Sequence, residues 1–131
     1  MTTFKDLGLN PMILQAIAEI GFETPTPIQS ATIPHLINSS DDLIALAQTG
    51  TGKTAAFALP IIQQLDDRQR DVQSLILCPT RELAIQIAKD IEKFIKYSPG
   101  VSVVPVFGGS RIDTQIRALK KCPQIVVGTP G

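Results

Sequence analysis

The chain has 131 residues, which is enough for at most one domain with a modest core. Hydrophobic residues make up 44% and charged residues 18%, a balance typical of soluble globular proteins. Lysine plus arginine and aspartate plus glutamate both number 12, and this zero net charge argues against a broad basic face for nucleic acid. The longest apolar stretch, Ala55 to Ile62, is too short to span a bilayer, and no signal peptide pattern is present. We therefore expect a cytoplasmic protein without membrane contact.

The first predicted elements are two capped helices. Asn10-Pro11, followed by spaced apolar residues and then Gly21, predicts an amphipathic helix with a glycine stop. The stiff segment Thr24–Pro27 leads into a second helix that begins near Thr26. A polar loop at residues 39–42 follows it.

Beyond this loop, short apolar runs alternate with helical patterns. The predicted strands are Leu43–Leu46, Ser74–Cys78, Val101–Phe107 and Gln124–Val127. The predicted helices between them extend from about Gly52 to Leu65, Arg81 to Tyr97, and Arg111 to Lys120. This spacing predicts an α/β fold, a parallel sheet with helices on both faces. Ligands of such folds bind at the carboxyl ends of the strands.

The most informative motif is the glycine-rich run between the first predicted strand and its helix. Its members are Ala47, Gln48, Thr49, Gly50, Thr51, Gly52, Lys53 and Thr54. A strand, a glycine-rich turn and Gly-Lys-Thr opening a helix are typical of the phosphate-binding loop of nucleotide-hydrolysing enzymes. Lys53 would reach the β and γ phosphates, and the Thr54 hydroxyl would hold Mg²⁺. The bland alternative, a strand-to-helix turn rich in Gly and Thr, is disfavoured by the flanking patterns.

A second motif is Gly21–Gln29, with the upstream aromatic Phe4. A glutamine amide offers the acceptor and the donor that match N6–H₂ and N7 of adenine, and a phenylalanine ring could supply an apolar face for the base. On these residues alone, a solvated helical Gln29 and a core Phe4 are the commoner outcomes.

Three further motifs follow the later predicted strands. Thr80 is a good N-cap after the second strand, and Arg81 in the first helical turn suits a phosphate. The alternative is a plain capped helix start with an ion pair from Arg81 to a glutamate. Gly108-Gly109 and residues 128–131 allow close backbone approach or merely tight turns. Together these loops could follow a phosphodiester backbone.

In this order, the motifs resemble the DEAD-box family of ATP-dependent RNA helicases over essentially the whole chain. The resemblance implies a P-loop NTPase RecA-like domain that is incomplete, residues 1–131, with the Q-motif region in 1–30 and the start of the sheet core in 43–131. It implies ATP and Mg²⁺ as cofactors, with a nucleotide site of Phe4, Thr24, Gln29 and Ala47–Thr54. Lys53 and Thr54 are the implied catalytic residues, and Thr54 the implied metal ligand. RNA, held by its backbone with little sequence preference, is the implied partner of Pro79, Thr80, Arg81, Gly108, Gly109, Thr129, Pro130 and Gly131.

The resemblance also implies segments that this chain lacks. They are the Asp-Glu-Ala-Asp segment, the Ser-Ala-Thr segment and a second domain with an arginine finger. Phosphoryl transfer needs the metal carboxylate, the water-orienting group and the arginine together. We therefore expect a helicase fragment with an exposed sheet edge that does not by itself hydrolyse ATP efficiently. RNA-stimulated hydrolysis and local duplex unwinding would belong to the full-length parent.

Two other functions compete with this interpretation. The first is a nucleotide-binding module without hydrolysis or unwinding activity. The second is a P-loop kinase or transporter ATPase. The Q motif and the Pro-Thr-Arg-Glu-Leu-Ala loop argue against the second, because neither has a role there.

Overall fold

The computed structural model describes residues 2–48, 50 and 52–131. The chain divides into two compact units, Met1–Gln64 and Leu65–Gly131. The first unit is helical, and it consists of a 3-10 helix (Lys5–Leu7), α1 (Pro11–Ile20), α2 (Pro27–Asn38) and α3 (Lys53–Gln64). The second unit alternates strands and helices, and it consists of β1 (Ser74–Leu77), α4 (Arg81–Phe94), β2 (Val103–Val106), α5 (Ile112–Leu119) and β3 (Ile125–Gly128).

Side-chain caps set the starts of α1 and α2. Asn10 Oδ1 accepts a hydrogen bond from the Ile13 amide at 2.9 Å, and Thr26 Oγ1 accepts one from the Gln29 amide at 3.4 Å. Gly21 ends α1 in the left-handed conformation, with φ of 99°. The two capped helices predicted at the N-terminus are therefore confirmed.

The predicted strand Leu43–Leu46 is wrong. These residues form no strand in the structure, and Ile44 and Leu46 are each 91% exposed. An apolar run becomes a strand only where a neighbouring strand completes its hydrogen-bond ladder. In the described part of the chain the sheet consists of β1, β3 and β2, and residues 43–46 are not a strand of it.

The second unit is built on a parallel sheet of order β1-β3-β2. Leu77 at the end of β1 and Val106 at the end of β2 both pair in register with Gly128 at the end of β3. Helix α4 connects β1 to β2 across the whole sheet, and α5 connects β2 back to the central strand β3. Because the two connections run in opposite directions and parallel crossovers are right-handed, the two helices lie on opposite faces of the sheet. The predicted α/β fold is confirmed, with the other strands and helices slightly shorter than predicted and the last strand shifted by one residue.

Burial in the second unit follows from this layering. The central strand β3 is buried throughout, whereas edge strand β1 leaves Leu75 and Leu77 more than half exposed. Pro105, which has no N–H to donate, lies in edge strand β2. The buried stripe of α4 has helical spacing and consists of Ala84, Ile87, Ala88, Ile91 and Phe94. None of the helices in the described residues combines the length and apolar composition that crossing a bilayer requires.

Candidate functional site

The predicted phosphate loop meets α3 at Gly52. The Gly52 carbonyl accepts the first helical hydrogen bond, from the Ala56 amide at 3.1 Å, so Gly52 takes the place of an N-cap residue. The amides of the first helical turn therefore have no helical acceptor, and they form the positive end of a 12-residue helix. Lys53, the first residue of α3, is exposed, and Thr54 is half-buried. This geometry suits a bound phosphate.

Gln29 joins this helix start to that of α2. Its side chain is buried, with 3% of the residue exposed. Oε1 accepts from the Thr26 amide at 2.9 Å, and Nε2 donates to the Gly52 carbonyl at 3.2 Å. The first contact completes a capping box at α2, because Thr26 caps the Gln29 amide in return. The solvated Gln29 that is commoner on sequence grounds is not what the structure has.

Close packing against Gln29 explains the glycine at position 52. A Cβ there would collide with Gln29 Nε2 and lie 3.4 Å from Thr26 Oγ1. Gly52 also has φ of +82°, which a residue with a Cβ adopts only with strain. Gly50 has φ of +84° but open space around its Cα. The glycine at 52 is thus required both by conformation and by contact.

Thr32 adds a second link between α2 and α3. Its hydroxyl contacts two carbonyl oxygens, that of Ile28 at 2.7 Å within α2 and that of Ala56 at 3.4 Å in α3. Ala56 and its neighbour Ala55 are small and buried, which lets the two helices approach closely. The helix that carries Gln29 is therefore fixed against the helix that follows the phosphate loop.

Phe4 is placed in the core. It is 5% exposed, and its ring stacks on that of Phe22 with centroids 5.8 Å apart. The short 3-10 helix after it is held by Thr3, whose amide donates to Asp6 Oδ2 at 2.8 Å. This backbone hydrogen bond, with that of the Thr3 side chain, lowers the pKa of Asp6. A contact between Phe4 and a nucleotide base stays a prediction.

The other predicted nucleotide-binding residues lie in irregular segments. Thr24 is exposed in the loop between α1 and α2. Ala47 is half-buried and Gln48 exposed in the segment that leads to the phosphate loop. Thr49 and Thr51 lie outside the described residues. Among the residues described, no group of three or more His, Cys, Asp and Glu side chains is placed to hold a metal ion.

In the second unit, the three predicted RNA-binding loops begin at one edge of the sheet. The register places the last residues of all three strands side by side, at Leu77, Val106 and Gly128. Hydrogen bonds extend the ladder into the loops, from the Cys78 amide to the Gly128 carbonyl at 3.0 Å and from the Thr129 amide to the Val106 carbonyl at 3.1 Å. Thr129 is half-buried, and the other members of the loops are exposed, namely Pro79, Thr80, Arg81, Gly108, Gly109, Pro130 and Gly131.

Arg81 brings two of these loops together. Thr80 caps α4 by accepting from the Leu83 amide at 3.2 Å, as predicted, and Arg81 is the next residue. Arg81 Nη1 lies 3.1 Å from the position that a Cβ on Gly109 would occupy. Arg81 Nη2 is 3.7 Å from Glu82 Oε1, an exposed ion pair of the kind that contributes little stability. The guanidinium is thus half exposed beside the backbone of Gly109.

Sequence reasoning missed two buried glutamines that frame β2. Gln115 bonds to both backbone groups of Phe107, and Gln124 bridges Gly100 and Ser102. A signal for Gln115 exists in the sequence, because it lies in the helical stripe formed by Ile112, Ile116 and Leu119. A polar residue in such a stripe indicates a buried hydrogen-bonding role.

A Gly-Lys-Thr sequence that opens a helix in the first unit and a parallel sheet with crossover helices in the second are typical of α/β proteins of the P-loop class. The family model of the DEAD/DEAH box helicases matches residues 26–131. The chain belongs to this family.

Individual relatives agree with the family match. The ATP-dependent RNA helicase DeaD of Haemophilus influenzae is 55% identical over 129 residues, which are 98% of this chain and 21% of that protein. The crystal structure of a DEAD box protein from Methanococcus jannaschii superposes with a TM-score of 0.92 at 44% identity, covering all of this chain and 35% of the other. A Dbp5 variant of S. cerevisiae bound to RNA and ADP BeF3 gives 0.88 at 32% identity, covering all of this chain and 32% of the other. The chain thus spans about a fifth of the length of the DeaD protein that it matches.

Proposed function

We propose that the full-length protein carrying this chain is a cytoplasmic ATP-dependent RNA helicase, in which RNA stimulates ATP hydrolysis and hydrolysis drives local separation of a duplex. The chain contributes the adenine and phosphate half-site and part of the RNA-binding surface. The observation that carries the proposal is the hydrogen bond from Gln29 to the Gly52 carbonyl. It links the residue expected to recognise the base directly to the loop expected to hold the phosphates.

The amide of Gln29 has the right remaining groups for adenine. Its oxygen can accept two hydrogen bonds and its nitrogen can donate two, and within the described chain each atom makes one. One acceptor and one N–H are left, which complement N6–H₂ and N7 of adenine. Guanine presents two acceptors at that edge, so the same amide disfavours GTP. In this proposal Phe4 and Thr24 complete the surroundings of the base.

Lys53 and Thr54 are proposed to act on the phosphates. Lys53 is exposed at the start of α3, where its ammonium group adds to the positive end of the helix. Thr54 follows it and offers a hydroxyl oxygen, and Mg²⁺ takes one or two side-chain oxygens together with phosphates and water. Bound Mg²⁺ would neutralise charge on the β and γ phosphates.

RNA is proposed to lie along the carboxyl edge of the sheet in the second unit. Arg81 and the first-turn amides of α4 are donors that suit a phosphate, and the glycine pair at 108–109 admits a backbone closely. Contacts with the phosphate backbone fix the position of the RNA strand but do not distinguish one base sequence from another. The zero net charge of the chain agrees with a surface of a few placed groups. The similar Dbp5 structure is bound to RNA, which supports RNA as the partner.

ATP hydrolysis by the full-length protein, with and without single-stranded RNA, tests the proposal. We expect RNA to raise kcat for ATP and Lys53→Ala to remove the activity. The competing function, a nucleotide-binding module, predicts ATP binding with no turnover in either condition. Tight ATP binding with no RNA-dependent hydrolysis would therefore favour that module.

A further inference from the structure

Gln115 makes an unusual use of a buried amide. The residue lies in α5 with 8% of its surface exposed. Its Oε1 accepts from the Phe107 amide at 3.0 Å, and its Nε2 donates to the Phe107 carbonyl at 2.9 Å. One side chain therefore satisfies both backbone groups of a single residue, as a neighbouring strand would.

The residue held in this way stands directly before a predicted RNA-binding loop. Phe107 follows the last residue of β2, and Gly108-Gly109 come next. Gly109 has φ of +85°, and Arg81 Nη1 lies beside it. The bridge from Gln115 therefore fixes the point from which the glycine loop leaves the sheet.

Helix α5 is oriented so that its buried residue is a glutamine and not one of its isoleucines. Ile112 and Ile116 are 69% and 45% exposed, while Gln115 between them is buried. Burying a glutamine costs desolvation that its hydrogen bonds must offset, whereas a leucine at this position would carry no such cost. What the amide adds over an apolar residue is control of the backbone at Phe107.

Gln124 provides an internal comparison. It is 2% exposed, accepts from the Ser102 amide at 2.9 Å and donates to the Gly100 carbonyl at 2.7 Å. Gln124 thus makes the same two types of hydrogen bond as Gln115, but with the segment that precedes β2. The two glutamines therefore differ in which end of the strand they fix.

We propose that Gln115 is a positioning residue for RNA: it holds Phe107 so that the backbone of Gly108-Gly109 and the Arg81 guanidinium form one phosphate-binding surface. This inference rests on the proposed function, because it assumes that these loops contact RNA. Gln115 acts through the loop and is not itself a ligand of RNA.

The test compares Gln115→Met with Gln124→Met in the full-length protein. Both changes keep side-chain length and remove two backbone hydrogen bonds. For each variant we would measure the RNA concentration that gives half-maximal ATPase stimulation, KM for ATP, the melting temperature, and hydrogen exchange at the Phe107 amide. Arg81→Ala serves as the reference for lost RNA contact. Gln115→Asn keeps the donor and the acceptor but is one methylene too short to reach both groups of Phe107, and it decides the matter if Gln115→Met does not fold.

We expect Gln115→Met to raise the half-saturating RNA concentration on the order of tenfold, with KM for ATP unchanged and faster exchange at Phe107. Gln115→Asn should shift the half-saturating RNA concentration in the same direction, and Gln124→Met should lower the melting temperature without this shift. If Arg81→Ala weakens RNA binding while the Gln115 and Gln124 variants behave alike, the inference is overturned and the proposed function stands. If instead Arg81→Ala leaves RNA binding unchanged, the assignment of these loops to RNA is wrong. The proposed role of Gln115 is then wrong as well.

Discussion

The side-chain amide of Gln29 donates a hydrogen bond over 3.2 Å to the carbonyl oxygen of Gly52. The same carbonyl accepts the first helical hydrogen bond of α3, and the same amide closes the capping box of α2. Two helix starts are therefore connected through one pair of residues. A substitution of either residue should change both the stability of the fold and the affinity for nucleotide.

Gly52→Ala should lower the free energy of unfolding more than Gly50→Ala. Both positions have positive φ, and an added Cβ costs about 1–2 kcal/mol on conformational grounds. At position 52 the Cβ also collides with Gln29 Nε2, whereas at position 50 it meets open space. Chemical denaturation of the two variants checks this difference, and equal losses would contradict the placement of Gln29.

Gln29→Ala should remove the preference for ATP over GTP and also destabilise the protein. The change removes the partner of the Thr26 amide and one of the two hydrogen bonds to the Gly52 carbonyl, which keeps the bond from Ala56, and we expect this to cost about 2 kcal/mol. Competition binding of ATP and GTP measures the selectivity. Gln63→Ala is the matched control, because Gln63 also bridges two backbone groups, the Asn10 amide and the Gly8 carbonyl. Selectivity that survives in Gln29→Ala would remove this residue from the base site.

Lys53→Ala should reduce ATP affinity by about tenfold or more with little effect on stability. The side chain is exposed at the start of α3, so its removal leaves no buried group unpaired, but it takes away the cation expected at the phosphates. Calorimetric titration with ATP measures the loss, and Lys5→Ala, another exposed lysine of the first unit, controls for net charge. Unchanged affinity would exclude the phosphate-loop assignment.

Arg81→Ala should weaken RNA binding and RNA-stimulated ATPase while ATP affinity stays nearly intact. The guanidinium is half exposed beside Gly109, and its pairing with Glu82 at 3.7 Å is too exposed to make it structurally important. Arg68→Ala removes an exposed arginine paired with Asp66 elsewhere in the unit and should leave RNA binding unchanged. An equal loss of RNA and ATP affinity in Arg81→Ala would indicate damage to the start of α4.

Local signals in the sequence were sufficient for most of the fold. The caps at Asn10, Thr26 and Thr80 act through neighbours three residues away, so the pattern of residues contains the whole interaction. The alternation of strands and helices after residue 73 likewise predicts a parallel sheet. Each strand and helix has its own local sequence pattern, and this pattern is the same whatever the order of the strands in the sheet. These predictions needed no knowledge of distant contacts.

Long-range contacts account for what the sequence could not supply. Leu43–Leu46 has the composition of a strand, but a ladder depends on a partner elsewhere in the chain. Gln29 was expected on general grounds to be solvated, yet the packing of α2 against α3 buries it on a carbonyl 23 residues away. In α5 Gln115 is buried and bonded to Phe107 while Ile112 and Ile116 are exposed, which helical spacing alone does not reveal.

ATP-dependent strand separation by the full-length protein tests the central claim most directly. The measurement follows release of a labelled strand from a short RNA duplex, with ATP, without ATP, and with Lys53→Ala. We predict release by the unmodified protein when ATP is present, and background release in the other two conditions. Release that does not depend on ATP, or ATP hydrolysis with no release, would contradict the account.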